Sequence, residues 1–146
     1  FLNFVLGFMG VTQTILEAIK ELGWTPMQTM IVIICFYLLL GMFMETLSMM
    51  LTTIPVVFPI VVYLGFDPVW FGIMITVLME AALITPPIGI NLYVVHGIRA
   101  RGGKFNDVSI GAVPFLFGMF FLIAILLFFP DIATWLPQLV YHPGTG

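Results

Sequence analysis

Charge is scarce in this chain. Four Lys or Arg and seven Asp or Glu make up 8% of its 146 residues, against 62% hydrophobic residues and a mean hydropathy of +1.21. A soluble domain of this length exposes too much surface to be covered by so few charges. The formal charge is only −3, and no basic stripe indicates a nucleic-acid partner. The single cysteine, Cys35, lies in an apolar run, which excludes an internal disulfide and a cysteine-built zinc set. H-E-x-x-H, G-x-S-x-G and G-x-x-x-x-G-K-[ST] do not occur, so the sequence gives no support for an enzyme. The opening "FLNFVLGF" has neither an initiator Met nor a basic region. It does not read as a signal peptide and is taken as the interior of a longer chain.

Long apolar runs take the place of charge. "MIVIICFYLLLGMFM" and "PFLFGMFFLIAILLFF" lack the alternation of a membrane β-strand and predict an all-α integral membrane protein. Breakers divide it. Residues 1–26 read as a transmembrane helix, possible truncation included, and a periplasmic turn. Residues 27–64 are far too long for one span at about 1.5 Å per residue and are interrupted by "ETLSMMLTTIP". Split at a tip near 45–48, they give two arms of roughly 16 to 18 residues, each short for a full span. A re-entrant helical hairpin and two short complete spans both fit. Residues 65–98 read as a discontinuous transmembrane helix broken at 85–91, and 108–129 as an uninterrupted transmembrane helix. Arg99, Arg101 and Lys104 predict that the loop 99–107 is cytoplasmic. The tail 130–146, rich in Pro, Trp and Tyr, is then periplasmic and interfacial.

The polar interruptions carry the functional signal. Non-helical backbone in lipid strands N–H and C=O groups, at several kcal/mol each. In "LITPPIGIN", Pro86 and Pro87 cannot donate and their rings clash with the preceding turn. Pro86 also biases Thr85 away from helix, while Gly89 opens backbone conformations closed to other residues. A half-helix ending near Ile84 would present carbonyls suited to Na⁺. A second one, starting near Ile88, would present N–H groups suited to an anion. Thr85 and Asn91 add side-chain oxygens. The alternative is a proline kink, with Thr85 and Asn91 bonded back to the helix. In the other interruption, Gly41, Glu45, Thr46, Ser48, Thr52 and Thr53 gather polarity at mid-run. A carboxylate there costs about 2.5–3.5 kcal/mol on insertion scales and must face protein or water. Glu45 is either a hydrogen-bonding anchor of the tip or an ion or substrate contact. Glu80 is a second such carboxylate, and His96 reads as structural.

The run GMFMETLSM, followed by LGFDPVWFG and ITPPIGINL, resembles the C-terminal half of the large membrane subunit of TRAP transporters. These are the tripartite ATP-independent periplasmic transporters, or DctM-like family of the ion-transporter superfamily. The resemblance covers residues 1 to about 140. It implies one half of an inverted-repeat, elevator-type transporter in a bacterial inner membrane, driving Na⁺-coupled uptake of organic acids such as C4-dicarboxylates or sialic acid. The implied partners are a periplasmic substrate-binding protein, a small membrane subunit and the lipid bilayer. No cofactor is implied beyond Na⁺ as coupling ion. By motif, the tip and the break would form a Na⁺ site from Gly41, Thr46, Ser48, Thr85, Gly89 and Asn91. They would also form half of a substrate site from Glu45, Thr46, Pro86, Pro87 and Ile88. The family often carries Asp where Glu45 stands, and the extra methylene alters the reach of the carboxylate. The competing class is a channel-like or structural membrane subunit that uses the same breaks to line a pore.

Overall fold

The computed structural model describes residues 10–86, 89–99 and 103–141. Within them lie seven helices and no strand: α1 (Val11–Glu21), α2 (Pro26–Gly41), α3 (Thr46–Tyr63), α4 (Pro68–Leu83), α5 (Ile90–Ile98), α6 (Phe105–Phe128) and α7 (Asp131–Tyr141). Two of them, α3 and α6, are long and apolar enough to cross a membrane. The 16-residue α2 and α4 are apolar but shorter, about 24 Å against a hydrocarbon core of about 30 Å. Of the segment 1–26, the described helix is α1. It is amphipathic, with Gln13, Thr14, Glu17 and Glu21 exposed, and it rests on α3 through Lys20, 5.1 Å from the centre of the Tyr63 ring. Residues 1–9 lie outside the described residues.

The turns are built by a cassette used twice, Leu-Gly-aromatic-cap-Pro, at residues 22–26 and 64–68. After α1, Gly23 N–H donates to Lys20 O (3.1 Å) and Trp24 N–H to Ile19 O (3.4 Å). After α3, Gly65 N–H donates to Val62 O (3.0 Å) and Phe66 N–H to Val61 O (3.2 Å). Both pairs form the Schellman pattern, which occupies the last free carbonyls of a helix. The next residue caps the following helix. Thr25 accepts from Gln28 N–H (3.3 Å) while Gln28 accepts from Thr25 N–H (2.9 Å). Asp67 accepts from Val69 N–H (2.8 Å) and Trp70 N–H (3.0 Å). Pro26 and Pro68 then occupy the first helical position, where a missing N–H costs nothing.

Helix α4 is the hub, packed on α2, α3, α5, α6 and α7. Trp70, Phe71, Met74, Ile75, Leu78 and Met79 are buried along it, against Met30 and Tyr37 of α2, Met49 and Val61 of α3 and Ile123 of α6. The buried methionines fill irregular gaps between helices of unequal length. One long-range bond fixes α6 to the hub. The Leu126 carbonyl would ordinarily accept from the N–H four residues on, but residue 130 is proline. The buried indole N–H of Trp70 donates to it instead, at 2.6 Å, and the ring stacks on Phe66 with centroids 5.0 Å apart. On its outer side α6 exposes Phe115, Phe117, Phe121 and Phe128, an apolar face that suits lipid and would be a liability in water.

Trp70→Phe keeps the stack and removes the donor. It is expected to destabilise the protein by about 1–3 kcal/mol, the cost of an unpaired buried carbonyl, seen as a lower thermal unfolding midpoint in detergent. Adding Pro130→Ala restores an N–H four residues beyond Leu126 and should recover part of that loss. Equal stability of Trp70→Phe and wild type would remove the bond from the account of the fold.

Candidate functional site

Two of the non-helical stretches between helices carry the candidate residues. The first is the tip, residues 42–45, between α2 and α3. After Gly41 the chain tightens, with Met42 N–H donating to Leu39 O (3.3 Å) and Phe43 and Met44 N–H both donating to Leu40 O (3.0 Å each). Glu45 then adopts an extended backbone and caps α3. Its Oε2 accepts from Leu47 N–H (3.1 Å), and its Oε1 from Ser48 N–H (2.6 Å) and the Ser48 hydroxyl (2.7 Å). The carboxylate therefore sits on the positive end of α3, with both oxygens engaged. The hairpin arms are tied below the tip. The Tyr37 hydroxyl meets Thr53 Oγ1 at 2.6 Å, in a buried position. Thr53 donates to Met49 O at 2.7 Å, so its one proton is committed and Tyr37 is the donor to it.

The second stretch separates α4 from α5. The last turn of α4 closes with Ile84 N–H to Ala81 O (3.3 Å) and Thr85 N–H to Ala82 O (3.1 Å). The Thr85 hydroxyl donates back to Ala81 O (2.7 Å). Pro86 follows; Pro87 and Ile88 lie outside the described residues. Gly89 is buried with φ +35°, and a β-carbon there would lie 3.0 Å from the carbonyl oxygens of both Leu83 and Thr85. These carbonyls converge on one spot at the end of α4, and only glycine leaves it open. Gly89 has no side chain to cap α5, and among the described residues no side chain caps the start of that helix. Asn91 is exposed in its first turn.

The two stretches meet through α2 and α4. Gly41 is buried, and a β-carbon on it would collide with that of Ala82, three residues before Thr85. Glycine and alanine bring the C-terminal ends of two helices into backbone proximity. Helix C-termini carry about half a negative charge each, so their meeting makes a locally electronegative spot. Thr85 has donated its proton and can offer a cation only lone pairs, the orientation that a cation ligand needs. Among the described residues no three carboxylate, imidazole or thiolate groups cluster as a transition-metal site would require. The available donors are carbonyls and hydroxyls, which suit a hard cation.

Of the remaining candidates, Thr46 begins α3 and is half-buried, and Ser48 is exposed with its hydroxyl turned to Glu45. Glu80 is exposed on α4. His96 packs edge-on to Phe105, with centroids 5.8 Å apart. The bond between Tyr37 and Thr53, and Ala82 as the surface facing Gly41, were not singled out by sequence reasoning. A tyrosine in an otherwise apolar run, sixteen residues before a threonine, was the available signal for the first. Nothing in the sequence marks Ala82.

The profile of the family described as "Tripartite ATP-independent periplasmic transporter, DctM component" matches residues 1–132. The chain is similar to the C4-dicarboxylate TRAP transporter large permease protein DctM of Vibrio cholerae, 38% identical over 142 residues, covering 97% of this chain and 31% of the relative. It is similar to the ectoine TRAP transporter large permease protein TeaC of Halomonas elongata, 33% identical over 142 residues, covering 96% and 32%. It is also similar to the sialic acid TRAP transporter permease protein SiaT of Haemophilus influenzae, 29% identical over 130 residues, covering 89% and 21%. The chain thus spans about a third or less of the length of these relatives.

Gly41→Ala is expected to cost about 1–3 kcal/mol by overpacking. Ala82→Gly in the same protein should restore most of it, a coupling that only residues in contact display. Thermal unfolding of the two single variants and the double variant reads this directly. Additive losses would mean that α2 and α4 do not meet here.

Proposed function

This chain belongs to the DctM family of tripartite ATP-independent periplasmic transporters, and from that premise we propose that it forms the C-terminal part of a large permease subunit. That subunit carries out Na⁺-coupled secondary uptake of an organic acid, a C4-dicarboxylate, sialic acid or a similar solute. A periplasmic binding protein delivers the solute and a small membrane subunit supports the scaffold. A transporter subunit rather than an enzyme follows from the family itself.

The observation that carries the reading is the meeting of two helix C-termini at Gly41 and Ala82. Two partial charges of about −0.5 amount to roughly one elementary charge, the complement of a single monovalent cation. The carbonyls of Leu83 and Thr85, the Thr85 and Ser48 hydroxyls, Thr46, Asn91 and the open backbone at Gly41 and Gly89 supply the oxygens and space for Na⁺. The N-termini divide differently. Glu45 already occupies that of α3, so in this reading it holds the tip in shape. The uncapped start of α5 is left for the carboxylate of the solute, approached past Thr46, Pro86, Pro87 and Ile88. Na⁺ and solute then lie on opposite poles of one helix break and strengthen each other's binding, which is a direct route to coupling.

In the same reading α2 and α3 form a re-entrant hairpin open to the periplasm. The 16 residues of α2 are short for a complete span, while α3, at 18, is at the lower limit for one. The loop 99–107, with three of the four basic residues of the chain, faces the cytoplasm of the bacterial inner membrane, and the C-terminus faces the periplasm. The hairpin and the break would travel together as part of an elevator-type movement, held by the hub helix α4.

Two experiments test this. In proteoliposomes holding the whole transporter with its cognate binding protein, Thr85→Ala and Asn91→Ala should each raise the Na⁺ concentration for half-maximal uptake by about tenfold, about 1.4 kcal/mol of ion binding. Unchanged Na⁺ dependence in well-expressed variants would remove both residues from the site, and uptake indifferent to Na⁺ would favour a channel-like subunit. Single cysteines at Trp24 and Phe66 should label from the periplasm. Labelling of either from the cytoplasm alone would overturn the topology.

A further inference from the structure

A groove of about 890 Å³ runs between α5 and α6, away from the tip and reaching the break only at Ile84. Its volume falls in the range of small-ligand sites, about 300–1,000 Å³. One wall is Leu92 and Val95 of α5, with Ile84 of the preceding break at the inner end. The floor is Gly111, Phe115 and Gly118 of α6. Polarity is confined to the outer end, where Arg99 lies 3.5 Å from Asp107, both about half exposed. From Asp107 to Met119, twelve residues of α6 measure about 18 Å, close to the depth of one leaflet of a hydrocarbon core about 30 Å thick. A slot one leaflet deep, apolar along its length, with Arg99 and the neighbouring Lys104 against the single carboxylate of Asp107 at its mouth, has the dimensions and charge order of an anionic lipid.

We propose that this groove seats one acyl chain of an anionic phospholipid, with the phosphate held at Arg99 and near Lys104 at the start of α6. Arg99 keeps donors for that role beside its contact with Asp107. Its contact with Asp107 is long and exposed, and such pairs contribute little. The same Asp107 oxygen also accepts from Lys104 N–H, at 3.1 Å, and the guanidinium has further donors to turn outward. Glycines shape the floor, since a β-carbon at Gly111 or Gly118 would meet nothing within 4 Å. At its inner end the acyl chain touches Ile84, the residue before Thr85. Of the described side chains of the nine-residue α5, Leu92 alone is buried. A chain wedged between α5 and α6 would brace that short helix, and with it the break.

The test uses the complete transporter, purified in detergent and examined by native mass spectrometry with phosphatidylglycerol or phosphatidylcholine of identical acyl chains. One phosphatidylglycerol should be retained, at least about tenfold in preference to phosphatidylcholine. Arg99→Gln should abolish that preference. Gly111→Leu and Gly118→Leu, which fill the groove from its floor, should abolish retention of either lipid. A photoactivatable acyl chain on phosphatidylglycerol should crosslink to Leu92 or Phe115 in the unaltered protein, independently of how the variants fold. Retention that survives filling of the groove overturns the proposal. So does a disulfide between Gly111→Cys and a cysteine placed in another segment of the permease, which would mean that protein covers this face.

Discussion

An unpaired backbone group away from water costs several kcal/mol, and the ends of the seven described helices in an apolar bundle must each meet that cost. Most of this structure is a set of answers to it. Two Leu-Gly-aromatic-cap-Pro turns close one helix and open the next within five residues. Glu45 lays a carboxylate on the start of α3. Trp70 reaches across to the one carbonyl of α6 that Pro130 cannot serve, and in doing so docks α6 on the hub. Side chains recruited to satisfy backbone also decide which helices pack together.

The break between α4 and α5 answers the same cost differently. Carbonyls of Leu83 and Thr85 gather around Gly89, and α5 begins on a residue with no side chain to cap it. Gly41 brings the end of α2 to the same place. Apart from the Thr85 hydroxyl on Ala81 O, no side chain among the described residues bonds the backbone there, and such open polar backbone is what a transient ligand needs, because permanent partners would compete with it. The proposed Na⁺ and carboxylate positions are the two electrical poles of this one defect, and the proposed lipid groove ends against its rim at Ile84.

Family membership rests on the profile match over residues 1–132 and on the identity to the relatives. The relatives named for C4-dicarboxylate, ectoine and sialic acid share the chain at 29% to 38% identity.

The sequence by itself determined the helical class, the family and the existence of two mid-run interruptions; it put the tip near 45–48, where Thr46–Ser48 already belong to α3, and it read 130–146 as a tail, where α7 spans Asp131–Tyr141. Hydropathy along a run, the missing N–H of proline and the cap preferences of Thr, Asp and Glu are local properties, and local properties are written in order along the chain. Glu45 could be narrowed from sequence only to an anchor or a ligand; its bonds to Leu47 and Ser48 were supplied by the folded tip. Tertiary structure alone decided that α4 is the centre, that Gly41 faces Ala82 and that Trp70 meets Leu126. The reason is physical. Helices α2, α4 and α6 are apolar nearly all round, so they lack the polar face that tells a reader which side turns inward. Their partners are chosen by fit between surfaces far apart in sequence, and such fit exists only once the helices have packed.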